Sequence, residues 1–192
     1  VPDGFLFMIV GGLGGFIVAI VTILKKTWAP ITVPLYAMLE GLLLGSVSYM
    51  YGQMFEGIVL NAIILTVSIL ISLLFVYKSG LIQVTENFKL GIAAATGGIF
   101  LVYIFSFIGS FFGMSLSFLD PTNGSLISIG GSLFIVIIAS LNLVLDFDFI
   151  EEGAEKGAPK YMEWYGAFGL LVTLVWLYLE ILRLLSKLNS RK

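Results

Sequence analysis

Acidic and amide side chains occur inside long apolar segments of the sequence. Glu40 lies in "LYAMLEGLLLG", and "LNLVLDFDFIEEGA" contains Asn142, Asp146 and Asp148. An ionisable residue inside a membrane-spanning helix costs about 2.5–3.5 kcal/mol on insertion scales, so its presence predicts a function. Carboxylate and carbonyl oxygens are the ligands that hard cations such as calcium prefer. These residues therefore indicate proton or cation chemistry at membrane depth.

The spacing within "LNLVLDFD" places two of its polar residues on one helix face. Asn142 and Asp146 are one helical turn apart, whereas Asp146 and Asp148 are separated by about 200° around a helix. Asn142 and Asp146 are thus predicted to line a polar stripe, and Asp146 and Asp148 are candidate ligands for a transiently bound calcium ion. The ordinary alternative is a helix that ends at the membrane surface, followed by a solvated loop from Glu151.

The remaining ionisable residues suggest three charge pairs, two within one helix and one between helices. In "LYLEILRLL", Glu180 and Arg183 are three residues apart and can pair along one helix. Glu40 has no cation within one turn, so it is either protonated or paired with a cation of another helix, for which Arg183 is the candidate. Glu152 and Lys156 are expected to form an exposed i,i+4 pair beyond the apolar segment.

The composition is that of an integral membrane protein. Of 192 residues, 59% are hydrophobic and 11% are charged, and the mean hydropathy is +1.07, whereas soluble domains carry about 25% charged residues. The net charge of −2 does not favour a nucleic acid as partner. The absence of both cysteine and histidine excludes Ser–His, Cys–His and zinc chemistry. We therefore expect neither an enzyme nor a cofactor.

Six apolar segments are long enough to cross a bilayer as helices. The predicted fold is an all-α, polytopic transmembrane helix bundle that forms a single domain over residues 1–192, with spans at Phe5–Leu24, Ile31–Tyr51, Gly57–Tyr77, Leu90–Phe112, Leu126–Leu145 and Tyr165–Leu185.

Small residues four positions apart predict close helix packing, because they let two backbones approach where no hydrophobic effect drives association in lipid. Such pairs are Gly11 with Gly15, Gly41 with Gly45, and Ala93 with Gly97.

Basic residues do not settle the orientation by the positive-inside rule. Six lysines in the connections before the last span are expected on one side of the membrane. Four cations at the end of the chain are expected on the other side: Arg183, Lys187, Arg191 and Lys192.

Several segments together resemble the Bax inhibitor-1 superfamily, in particular its bacterial branch. The most specific block reads "DFDFIEEGAEKGAPKYMEWYGAFGLLVTLVWLYLEILRLL", and "WAPITVPLYAMLEGLLLGSVS" and "YKSGLIQVTENFKLGIAAATGGI" are also similar. The resemblance implies a bundle of seven helices with the last helix at its centre. Since six spans are present and the chain begins at Val1, the first family helix is expected to be absent from this sequence.

The resemblance also implies a function and site residues. Family members are linked to a pH-sensitive calcium leak, in which two aspartates on the last two helices share a proton and a glutamate pairs with an arginine. Asp146 matches the first aspartate, and Glu40 and Arg183 match the glutamate and the arginine. Thr173 stands at the position of the second aspartate. A threonine can donate a hydrogen bond but cannot share a proton between carboxyls, so the family latch is incomplete here.

Two functions remain open at this point. The first is a cation leak, with calcium as the permeant ion rather than a cofactor, gated by protonation of Asp146 and by a Glu40–Arg183 pair. The second is a non-conducting regulator that binds another membrane protein, such as a membrane-bound quality-control protease, through the acidic segment 151–163 and the basic tail 187–192. In either case the resemblance implies a protein of the bacterial inner membrane, with the lipid bilayer as its surroundings.

Overall fold

Six long α-helices account for most of the chain in the computed structural model, which describes residues 2–113 and 116–191. The helices are α1 (Pro2–Leu24), α2 (Ala29–Met54), α3 (Ile58–Lys78), α4 (Glu86–Phe111), α5 (Leu126–Glu155) and α6 (Tyr161–Ser190). All six are long and apolar enough to cross a membrane, and the described residues contain no β-strand. The predicted all-α fold with six spans is therefore confirmed.

The end of α5 differs from the prediction. Glu151 and Glu152 do not begin a loop, because α5 continues to Glu155. The helix ends in a Schellman motif, in which the Ala158 N–H donates to the Gly153 carbonyl (2.9 Å) and Gly157 adopts a positive φ of 63°. This φ favours glycine, so the sequence stops the helix at Gly157 and not at the last apolar residue.

The expected pair of Glu152 with Lys156 is present on the exposed last turn of α5. Both side chains are largely exposed, and an i,i+4 pair of this kind adds only a few tenths of a kcal/mol, about 0.3–0.5. The acidic residues after Asp148 therefore lie on a solvated helix end, which the apolar pattern alone did not predict.

The helices divide between two compact units. Unit 1 comprises Val1–Val59 and Asp146–Val175, and unit 2 comprises Leu60–Leu145 and Trp176–Lys192. Helices α5 and α6 each contribute one part to unit 1 and another part to unit 2. The structure does not test the prediction of a single domain.

Within unit 1, α1 and α2 pack with almost no space between their backbones. A Cβ atom added at Gly11 would lie 2.6 Å from both the Leu39 carbonyl oxygen and the Leu43 nitrogen. Near the α1–α2 turn, the buried Thr22 hydroxyl donates to the hydroxyl of Thr32 over 2.8 Å. The prediction of close packing at the first small-residue pair is therefore confirmed.

The other two small-residue pairs do not mediate helix packing among the described residues. A Cβ added at Gly41, Gly45 or Gly97 would meet no atom within 4 Å, and Ala93 is exposed. Their prediction is wrong within this chain, because four-residue spacing is also produced by the general frequency of glycine in membrane helices.

Burial is greatest in α5 and α6. In the most apolar 18-residue stretch of each, 39% of residues are buried, compared with 11–22% in the other four helices. Exposed positions of the chain carry large apolar side chains, among them Phe16, Ile31, Phe75, Phe105 and Ile127. Such exposure suits lipid as the surrounding solvent. The expected burial of the last helix is observed, and α5 shares it.

Candidate functional site

Two acidic side chains from different helices line one pocket of unit 1. The pocket has a volume of about 600 Å³, and its walls come from α1, α2, α5 and α6. Glu40 reaches it from α2 and Asp146 from α5, and Thr173 of α6 also lines it. Half of the other ten lining residues are aromatic: Phe16, Tyr36, Phe149, Tyr165 and Phe168.

Glu40 is held between α1 and its own helix. The residue is only 8% exposed, and the Tyr36 hydroxyl, one turn earlier, forms a hydrogen bond with its carboxyl group. Its Oε1 atom lies 2.9 Å from the position of a Cβ added at Gly15. Gly15 therefore provides the space that this carboxyl group occupies, because alanine would overlap with it.

The surroundings of Asp146 come from α6. The Thr173 hydroxyl forms a hydrogen bond with the Asp146 carboxyl group, and a Cβ added at Gly169 would lie 3.3 Å from the Asp146 Oδ1 atom. The predicted meeting of Asp146 with Thr173 is thus seen in the structure, with the threonine as hydrogen-bond donor.

Each of the two acidic groups retains an unused hydrogen-bond acceptor. The Oε2 atom of Glu40 and the Oδ2 atom of Asp146 are buried and have no hydrogen-bond partner among the described residues. Leaving a buried polar atom unsatisfied costs about 1–3 kcal/mol. Both atoms belong to residues that line the same pocket.

Arg183 lies in unit 2 and has a local partner. Its Nη1 atom is 2.9 Å from Oε1 of Glu180, a residue only 2% exposed. The Tyr103 hydroxyl of α4 donates to the same oxygen over 2.5 Å, and the guanidinium lies over the Tyr103 ring at 5.5 Å from its centroid. The local pair of Glu180 and Arg183 is confirmed, whereas a pair of Glu40 with Arg183 stays a prediction.

Lys187 is fully buried in unit 2. Its ammonium group donates to the carbonyl oxygen of Phe118 (2.6 Å), the carbonyl oxygen of Ser128 (3.3 Å) and the hydroxyl of Ser132 (2.8 Å). The three donors of a lysine ammonium are therefore all used. The expectation that Lys187 belongs to an exposed basic tail is wrong, because these acceptors compensate the cost of burying its charge.

The contact between Ser132 and Lys187 has the composition of a Ser–Lys catalytic dyad. In such a dyad the lysine acts as a base and must be free to accept a proton. Here the ammonium donates to three acceptors, and neither side chain lines the unit 2 cavity formed by Thr96, Ile99, Phe100, Tyr103 and Trp176. The geometry therefore indicates a structural role for this lysine.

The remaining predicted site residues lie outside the pocket. Asn142 is in unit 2, where its amide donates to the Thr96 hydroxyl and to the Ile138 carbonyl oxygen, each over 2.8 Å. Asp148 is partly buried and does not line the pocket of Glu40 and Asp146. Among the described residues, no group of three or more acidic side chains could hold a metal ion. Calcium binding by Asp146 and Asp148 stays a prediction.

Sequence reasoning missed three residues that shape these sites. Tyr36 precedes Glu40 by one helical turn, so the i,i+4 spacing could have identified it. Lys187 was assigned to the basic tail, and no local pattern reveals its acceptors, which lie 55 or more residues away in the sequence. Tyr103 reaches the buried ion pair from another helix, and no local pattern in the sequence reveals such a contact.

Comparison with known proteins gives the family of this chain. A sequence model of the family described as "Bax inhibitor 1 like" matches residues 1–190. No curated protein and no solved structure gives a significant match. The family match extends over nearly the whole sequence and agrees with six apolar helices, of which α5 and α6 are the most buried. The chain therefore belongs to the Bax inhibitor 1 like family, and it is an integral membrane protein.

Proposed function

We propose that the protein lets cations, with calcium as the main permeant ion, cross the membrane by way of the pocket that contains Glu40 and Asp146. The observation that carries the proposal is the pair of carboxyl groups lining one pocket, each with a buried oxygen that has no hydrogen-bond partner. A cation that loses part of its hydration shell in a membrane needs oxygen ligands in its place. Hard divalent ions take carboxylate oxygens for this purpose.

Protonation of Asp146 is the proposed gate. The carboxylate attracts a cation to the pocket and holds it, and a proton on Asp146 removes that charge and releases the ion. Thr173 donates a hydrogen bond to this group, so it takes a positioning role where the family has a second proton-sharing carboxyl. Glu40 of α2 then supplies the second acidic group of the pocket. The family resemblance had assigned Glu40 only to a pair with Arg183.

Calcium flux into liposomes that contain the purified protein tests this proposal. Wild-type flux is expected to rise as the pH is lowered. In the Asp146→Asn variant the side chain at position 146 carries no charge at any pH, so the variant should conduct at the rate that the wild type reaches at acidic pH and should lose the pH dependence that Asp146 causes. Glu40→Gln should lower the flux at every pH, because it removes an ion ligand but leaves the gate.

Two further variants make the result specific. Glu56→Gln removes an exposed acidic group from the α2–α3 connection and should leave both rate and pH dependence unchanged. Asp148→Asn removes an acidic group that is close in sequence to Asp146 but does not line the pocket. It therefore distinguishes an effect of the pocket from a general effect of nearby acidic residues. Flux equal to that of empty liposomes at every pH would end the proposal of conduction.

We also propose a second candidate, a non-conducting regulator of another membrane protein. The exposed acidic residues at the end of α5 and the start of α6, Glu151, Glu152, Glu155 and Glu163, favour it as a docking surface for a basic partner such as a membrane-bound protease. The burial of Lys187 removes one residue from the basic tail that this hypothesis also used. Crosslinking from these positions in bacterial inner membranes, the proposed location, should then capture one defined partner.

A further inference from the structure

The residues that line the Glu40–Asp146 pocket also indicate which kind of ligand it can bind. A calcium ion takes six to eight oxygen ligands, whereas the pocket offers two carboxyl groups and the hydroxyls of Tyr36 and Thr173 among apolar walls. Both hydroxyls already form hydrogen bonds with the carboxyl groups. The pocket therefore supplies only part of the oxygen ligands that a calcium ion takes, and it does not form a cage for this ion.

The same surroundings suit an organic ammonium ion. Such an ion carries one charge and an apolar body, and its charge is stabilised both by carboxylates and by the faces of aromatic rings. A volume of about 600 Å³ lies within the range of pockets that bind small organic molecules. The carboxyl groups of Glu40 and Asp146 supply the opposite charge at the wall of this pocket.

One ring of the pocket already binds an ammonium group of this chain. The Lys26 Nζ atom lies 5.0 Å from the centroid of the Tyr165 ring, and Tyr165 lines the pocket. This contact is an example of an alkylammonium group placed over a ring of this pocket at a distance typical of cation–π pairs. Lys26 itself is exposed, so a ligand inside the pocket can use the other rings without displacing it.

We infer that this pocket binds a primary organic ammonium ion with an apolar body, with its charge at Glu40 and Asp146 and its body against the rings of Phe16, Phe149 and Phe168. Bound in this way, the ligand neutralises the acidic groups that attract permeant cations. The pocket is then a binding site in its own right and not only a passage. The inference does not depend on conduction, since binding requires only the pocket.

Calorimetric titration of the detergent-solubilised protein with 2-phenylethylammonium tests this inference, with 2-phenylethanol as a neutral ligand of similar shape and empty micelles as the blank. The charged ligand should bind at least about tenfold more tightly than the alcohol, because the alcohol cannot form charge-assisted hydrogen bonds. Glu40→Gln and Asp146→Asn should each weaken binding of the ammonium ion by about tenfold.

The Glu56→Gln variant is the matched control and should bind the ammonium ion like the wild type. Thermal unfolding of each variant establishes that it is folded, and the comparison of the two ligands on the wild type does not depend on any variant. Equal affinity for the ammonium ion and the alcohol, or no binding of either, would overturn the inference. Flux without ammonium binding would leave the proposed function intact, and binding without flux would leave only the present inference.

Discussion

Replacement of Lys187 by methionine tests whether its buried ammonium group holds the α4–α5 connection against α6. Methionine keeps most of the length and apolar stem of lysine but donates no hydrogen bond. The substitution leaves the carbonyl oxygen of Phe118 and the hydroxyl of Ser132 without their short contacts of 2.6 and 2.8 Å. We therefore expect Lys187→Met to destabilise unit 2.

The size of the effect follows from these two contacts. Hydrogen bonds to a charged group contribute about 1.5–3 kcal/mol each, so the two short bonds together amount to about 3–6 kcal/mol. Removing the lysine also removes the cost of keeping an ammonium group out of water, which lowers the net loss to about 2–4 kcal/mol. For a chain of this size, each kcal/mol shifts Tm by about 2–4 °C, so the Tm should fall by about 4–16 °C.

Thermal unfolding in detergent, followed by size-exclusion chromatography of the remaining folded protein, measures this shift. Lys160→Met is the matched control, because Lys160 is exposed in the connection between α5 and α6, and its Tm should equal that of the wild type. Acetylation of the folded protein by an amine-reactive reagent gives an independent result: Lys160 should react and Lys187 should be protected. A Lys187→Met variant as stable as the wild type, or rapid acetylation of Lys187, would refute the reasoning.

Three further predictions concern other positions. Gly11→Ala should lower the Tm, since the new Cβ would lie 2.6 Å from backbone atoms of α2 and overpacking costs about 1–3 kcal/mol; Gly41→Ala, at an open position, should maintain or raise it. Tyr103→Phe should destabilise the buried ion pair of α6 by about 1–3 kcal/mol, measured as a lower Tm, and an unchanged Tm would contradict the role of this hydroxyl. Hydrogen bonds from Thr122 hold the pKa of Asp120 below its usual range, so this carboxylate stabilises the fold at neutral pH and the contribution is lost as the pH falls through the lowered pKa. Thr122→Ala should therefore raise the pKa of Asp120, as measured by carboxyl NMR, and an unshifted titration would refute this.

The sequence predicted the helices because bilayer thickness and helix periodicity act locally. About 20 apolar residues suffice to define a span, so each of the six spans could be read from its own segment. The sequence also contained the pair of Glu180 with Arg183 and that of Glu152 with Lys156, since both follow from positions one helical turn apart. The end of α5 could have been predicted as well, from Gly157 instead of from the loss of apolar residues.

The shared pocket of Glu40 and Asp146 depended on tertiary structure. The two residues are far apart in sequence, and the close approach of α1 to α2 at Gly11 and Gly15 is what gives the Glu40 carboxyl group its space. The family resemblance supplied both residues, but it linked Glu40 to Arg183, and the structure places it at the wall that Asp146 also lines. Contacts between helices of this kind have no local sequence signal.

Lys187 shows most clearly which properties follow from the sequence and which depend on the tertiary structure. By itself, the sequence determined that this chain contains six apolar segments long enough to span a membrane, with a few acidic groups inside or next to them, because the transfer cost of each side chain is set by its own chemistry. Whether a particular charged residue faces water, lipid or protein depends on which acceptors the other helices bring to it. Near the end of a helix, lysine is expected to be exposed, and only the fold, by placing two carbonyl oxygens and a hydroxyl around its ammonium group, made its burial favourable.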